Sequence, residues 1–144
     1  MIAVSSDHAG FSLLQEIIRH LEESGIEYKN YGCKDRTSCD YPDCAVPACR
    51  AVVSGEAEKA VLVCGTGIGM SLTANKIKGI RAAVCGDYFS AKHTRLHNDA
   101  NVLCLGERVV GPGLALELVD VFLKTEFEGG KHKRRIDKIA ELEK

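Results

Sequence analysis

Short β-branched runs alternate with helical patterns along the whole chain. Ile2-Ala3-Val4 reads as a strand, and Asp7-His8-Ala9-Gly10 leads into a helix. There Phe11, Leu14, Ile17, Ile18 and Leu21 recur at three- and four-residue spacing, which lays them along one face. Gly25 ends that helix in the manner of a left-handed cap. A brief strand over 26–31 and a polar loop precede a helix over about 42–53, opened by Pro42, whose missing N–H costs nothing in a first turn. Ala60-Val61-Leu62-Val63-Cys64 is apolar throughout, as a strand covered on both faces should be, and it runs into Gly65-Thr66-Gly67-Ile68-Gly69 and a helix to about residue 77. Ala82-Ala83-Val84-Cys85 and Val102-Leu103-Cys104-Leu105 are the fourth and fifth strands, followed by helices over 89–97 and 114–123. Gly129-Gly130 breaks the chain before a last amphipathic helix, in which Ile136, Ile139 and Ala140 share a face. Five successive βα units predict a doubly wound, Rossmann-like α/β fold with a mostly parallel five-stranded sheet and helices on both faces.

Composition narrows this little. The 144 residues suit one domain, 1–144, since two would each have a thin core. Lys plus Arg number 19 against 20 for Asp plus Glu, a balance that argues against a dedicated nucleic-acid binder. No apolar run approaches the roughly 20 residues of a membrane span, and Met1-Ile2-Ala3-Val4-Ser5-Ser6-Asp7 has no basic leader-like start. A cytoplasmic protein is the expectation. The seven cysteines are odd in number, and Cys33, Cys39, Cys44 and Cys49 follow at spacings of six, five and five, without the Cys-x2-Cys pairs of a structural zinc site. Reduced thiols filling apolar space are the better reading.

In a doubly wound sheet, ligands bind beyond the carboxyl ends of the strands. Asp7-His8 and Cys64 with its glycine loop are expected there, with His97-Asn98-Asp99 converging on them. The loop is neither Gly-x-Gly-x-x-Gly nor a lysine-bearing phosphate loop, and Met70 stands where a cysteine phosphatase needs arginine. What the loop does offer is backbone N–H groups that can crowd round an oxyanion. Cys64 lies where such groups favour a thiolate, although a cysteine at a strand end is more often inert. His93 and His97 have metal-ligand spacing, but Thr94 replaces the glutamate of the metalloprotease pattern, so no metal is expected. Lys131-His132-Lys133-Arg134-Arg135 places four cations in the positive first turn of the final helix, a conflict that an anionic ligand such as a phosphate ester relieves.

These residues resemble the ribose-5-phosphate isomerase type B family, which includes galactose-6-phosphate isomerase. The resemblance spans the chain: Ser6-Asp7-His8-Ala9-Gly10-Phe11, Asp40-Tyr41-Pro42, Cys64-Gly65-Thr66-Gly67-Ile68-Gly69, Ala74-Asn75-Lys76, Gly79-Ile80-Arg81-Ala82, His97-Asn98-Asp99-Ala100-Asn101, Gly106-Glu107-Arg108-Val109-Val110-Gly111 and Gly129-Gly130-Lys131-His132 with Arg135. It implies aldose–ketose isomerisation of a sugar phosphate, most simply ribose 5-phosphate to ribulose 5-phosphate, with no cofactor, in a homodimer or a dimer of dimers. By resemblance Cys64 moves the proton between C1 and C2, and His97 opens the sugar ring. Asp7 and His8 stand near substrate oxygens, Gly65, Gly67, Ile68 and Gly69 hold the enediolate, and Thr66 shuttles protons. Asn98 contacts the sugar, Tyr41 lines the site, and Arg108, Lys131, His132 and Arg135 gather round the phosphate. Lys131 departs from the arginine of many relatives, giving a point charge in place of a bidentate fork. The mobile glycine break further predicts that the last helix docks on a partner subunit, where Arg135 would work with the other copy's Cys64. Hexose 6-phosphate and tetrose phosphate are alternative substrates for the same chemistry, and a non-catalytic phosphosugar binder or thiol redox sensor is the alternative of a different class.

Overall fold

The computed structural model describes all residues 1–144. The chain runs β1 (Ile2–Ser6), a 3-10 turn (His8–Gly10), α1 (Phe11–Glu23), β2 (Tyr28–Asn30), α2 (Tyr41–Val53), β3 (Lys59–Cys64), α3 (Ile68–Ala74), β4 (Ala82–Val84), α4 (Tyr88–Asn98), β5 (Val102–Gly106), α5 (Pro112–Lys124) and α6 (Lys131–Glu141). All five strands are parallel, in the order β2-β1-β3-β5-β4.

Alternation along the central strands builds two cores from one sheet. Val4, Val61, Val63, Leu103 and Leu105 point to the face covered by α1 and α5, with Phe122 buried beneath them. Ala3, Ala60, Leu62, Cys64, Val102 and Cys104 point to the opposite face, under α2 and α3. Strict period-2 geometry assigns the side chains in this way, and double coverage explains why the strands read as unbroken apolar runs. A fully buried Leu or Val contributes roughly 1.5–3 kcal/mol, so β1, β3 and β5 form a rigid floor for whatever sits at their ends.

Two details bear on the pattern-based reading. Pro47 lies inside α2 and removes one interior hydrogen bond, yet the helix continues because Ala45, Ala48 and Cys49 are buried on the sheet. The final helix does not swing free of its own chain. Gly129 and Gly130 both have positive φ (74° and 59°), and they fold α6 back beside α4, where Ile136 is buried. Ile139 and Leu142 remain exposed, so only part of the apolar face is left for any partner.

Candidate active site

β1 and β3 are neighbours, and the chain leaves them in opposite directions, to β2 on one side and towards β5 and β4 on the other. A crevice opens at such a switch point, where two adjacent strand ends send their following segments to opposite sides. Here it is a cavity of about 440 Å3 whose walls include Asp7 and His8 from the end of β1 and Cys64, Gly65 and Thr66 from the end of β3. Ile68, Gly69, Tyr41 and Arg108, also expected, line it as well. Ala9 and Leu72 also line it and were not anticipated; Leu72 sits one turn beyond Ile68 on the same exposed helix face, which is the only signal it carried.

Local bonding explains the geometry. The Gly67 N–H donates to Cys64 Sγ at 3.1 Å, which fixes the sulfur against the turn of the loop. Gly67 adopts φ 81°, and a Cβ there would meet Val84 Cγ2 at 2.8 Å, so only glycine carries this turn and its donor. Gly69 is required for a different reason: a Cβ would stand 2.7 Å from the Tyr41 ring, which packs over the loop. Thr66 Oγ1 accepts from the Ile68 N–H at 3.2 Å. Asp7 is buried, and its Oδ1 accepts from the Gly10 N–H at 3.0 Å, so this carboxylate also caps the turn that presents His8. The Glu107 and Arg108 N–H groups donate to the Cys64 and Gly65 carbonyls at 2.9 and 3.0 Å, which sews the β5–α5 turn to the glycine loop and brings Arg108 into the cavity.

The remaining expected residues are elsewhere. His97 and Asn98 end α4, just before β5 begins, whereas Cys64 is paired in register with Gly106 at the carboxyl end of β5. The length of β5 separates them, roughly 13 Å over its four steps. The convergence expected of His97-Asn98-Asp99 with Cys64 therefore fails within one chain. The phosphate set divides in the same way: Arg108 stands with Cys64, while Lys131, His132 and Arg135 open α6 beside His97.

This second pole is organised by an aromatic ladder. Phe89 and His93 stack at 3.8 Å, His93 meets His97 edge-on at 5.1 Å, and His97 stacks on His132 at 4.1 Å. Glu128 Oε2 lies 3.3 Å from His132 Nε2 and 3.8 Å from His97 Nε2. The His132 side chain is only 12% exposed, and its pKa is lowered by loss of solvent first and by neighbouring His97 second. The three groups close enough to share a metal ion are thus His97, Glu128 and His132, not the His93–His97 pair that spacing suggested. A slightly larger groove of about 500 Å3 runs between β4, α4 and α6. It is lined by no thiol or imidazole, and its Arg81 is engaged by the Asn98 and Asp99 carbonyls, so the smaller cavity at Cys64 is the better seat for chemistry.

The chain matches the family model described as Ribose/Galactose Isomerase over residues 2–139. It belongs to that family. Ribose-5-phosphate isomerase B of Escherichia coli (strain K12) is 46% identical over 99% of this chain and 95% of its own. The structure of the Clostridium thermocellum ribose-5-phosphate isomerase B superposes with a TM-score of 0.97 at 49% identity, covering 99% of this chain and 96% of the other. A D-erythrulose-4-phosphate isomerase from Pectobacterium atrosepticum is 41% identical over 99% of this chain and 94% of its own. The family's fold is therefore this chain's fold, an α/β parallel sheet flanked by helices. No helix is long and apolar enough to cross a membrane.

Proposed function

We propose that the chain interconverts ribose 5-phosphate and ribulose 5-phosphate through an enediolate, in a site assembled from two copies of itself. One observation carries the reading: a thiol that accepts a loop N–H lies at the carboxyl end of the sheet, and a histidine beside a cationic helix turn lies at the other end. Neither pole suffices alone. A proton α to a carbonyl needs a base and a stabilised oxyanion, and Cys64 with the 65–69 loop provides both. Ring opening needs a proton-transfer group, and phosphate needs cations; His97, Asn98 and the first turn of α6 provide those. A two-fold axis that sets one copy's α4–α6 pole against the other copy's Cys64 makes two complete sites in a homodimer.

In this scheme His97 takes the ring hydroxyl proton and returns it to the ring oxygen, opening the sugar. Cys64 thiolate then removes the C2 proton and delivers it to C1. The negative charge on the intermediate oxygen is met by loop N–H groups, and Thr66 relays the hydroxyl protons. Asp7 and His8 orient the substrate oxygens while Tyr41 closes the wall. Arg108, Lys131, His132 and Arg135 hold the phosphate, with Lys131 contributing a point charge. The reaction calls for no cofactor, and a cytoplasmic setting suits its free thiols.

The same chemistry on a four-carbon sugar phosphate is the second reading, favoured by the likeness to the erythrulose-4-phosphate enzyme. A screen of four-, five- and six-carbon aldose phosphates with chelator present separates the two. Conversion fastest on ribose 5-phosphate is the expected result, and absence of conversion on all of them refutes the isomerase reading.

A further inference from the structure

The loop between β2 and α2 carries thiols that the proposed reaction does not use. Cys39 Sγ lies 3.8 Å from Cys44 Sγ, and 4.0 Å from His8 Nδ1. The same His8 nitrogen accepts the Cys39 backbone N–H at 3.2 Å. Cys39 is partly exposed in the loop, while Cys44 is buried in the first turns of α2. Cys33, near the start of the loop, donates its thiol to the Asp35 carbonyl and also lies beside Cys39, which adds to burial in raising the Cys33 pKa. His8 touches Cys39 across the fold and Tyr41 follows it by two residues in the chain, and both line the cavity beside Cys64.

We propose that Cys39 and Cys44 form a reversible disulfide that acts on the adjoining cavity through His8. The bond requires the sulfurs to close from 3.8 Å to about 2.05 Å. That movement draws the residue-39 backbone, and with it the N–H held by His8, towards α2. Tyr41 follows, because only Asp40 separates it from Cys39. The chemistry balances with a two-electron oxidant of the azodicarboxamide class. Cys39 thiolate adds to one azo nitrogen; Cys44 sulfur then attacks Cys39 sulfur, the S–N bond breaks and the S–S bond forms. Both thiol protons and two electrons end on the reagent, which leaves as a hydrazine. The order follows from access, since the oxidant reaches Cys39 first. Burial, reinforced by Cys39, pushes the Cys44 thiol up to about 12, so the second step is the slow one and quickens as pH rises. The effect on turnover rests on the isomerase reading, whereas the bond and its effect on His8 do not.

The test treats the full chain with diamide at neutral and at alkaline pH. Peptide mapping under non-reducing conditions should find Cys39 joined to Cys44, with two of the seven thiols lost. The His8 ring signals in NMR should shift and return on adding dithiothreitol. Isomerisation should fall by roughly 10- to 100-fold, the scale of a displacement of about 1 Å in a site group, and recover with the reductant. Cys39→Ser and Cys44→Ala chains should keep their activity through the treatment; equal loss there means that the oxidant acts at Cys64 and overturns the proposal. A Cys33–Cys39 or intermolecular bond as the main product overturns it, as does a Cys39–Cys44 bond that leaves the His8 signals unmoved. Untreated protein that converts no sugar phosphate fails the isomerase reading instead, and the mapping and His8 signals still decide the thiol pair.

Discussion

Mixing two crippled variants should restore activity that neither has alone. Cys64→Ala removes the proposed base and His97→Asn the proposed ring-opening group. In one chain these residues stand at opposite ends of β5, whose four residue steps span roughly 13 Å, so a single copy's His97 does not reach substrate lying on its own Cys64. If each site takes Cys64 from one copy and His97 from the other, a mixed dimer holds one site with both wild-type residues and one with neither. Random exchange makes half the dimers mixed, so the pool should recover about a quarter of wild-type turnover on ribose 5-phosphate. Native mass spectrometry of a mass-labelled mixture verifies exchange, and a coupled assay follows ketose formation. Complete exchange with no recovery refutes the shared site, because both residues would then belong to one subunit and every site would stay defective.

Three further outcomes follow from the same geometry. Cys64→Ala should abolish isomerisation while calorimetry still detects ribose 5-phosphate binding, since the loop N–H groups and the cations remain; near-normal turnover would remove Cys64 from its role. Exhaustive chelation should leave the rate unchanged, whereas loss with recovery on adding zinc would make the His97, Glu128 and His132 group a working metal site. Phe122→Ala should cost about 3–5 kcal/mol in urea unfolding, because this fully buried ring anchors the α5 face of the sheet; a loss under 1 kcal/mol would show that the core collapses readily to fill the space.

Much of the fold was legible because its signals are local. The apolar runs at β3 and β5 announce a doubly covered parallel sheet, and Gly25 and Pro42 mark helix ends that the structure reproduces within a residue or two. The cavity at Cys64 was legible for a related reason: strand ends meet at the switch point, so residues directly after β1 and β3 are neighbours by topology. His97 was misplaced because it precedes a strand. An α4 that starts at the carboxyl edge of a parallel sheet must end at the amino edge, and counting which side of a strand a motif occupies would have revealed this. Glu107 and its bond to the Leu13 N–H, which secures the start of α1, had no sequence signal, since the residues are 94 apart. The thiol pair was equally hidden, because a spacing of five says nothing about sulfurs 3.8 Å apart until the loop and α2 are folded.

The division of the site between two poles also accounts for the charge pattern. The net charge of -1 conceals a concentration of cations in the first turn of α6, where the helix dipole already disfavours them. Glu128 offsets part of this by facing His132 and His97, yet it is half-exposed, and of the four cations in that turn only Lys133 has an ion-pair partner, Asp137. In an isolated chain that pole is an unfavourable arrangement looking outwards. Set against a second copy's cavity, it becomes the anion-holding half of a site whose other half supplies the base and the oxyanion cradle. In the dimer we propose, one isologous contact would satisfy both copies, and the poorly compensated turn of α6 would answer to a partner and a phosphate, not to the stability of the chain that carries it.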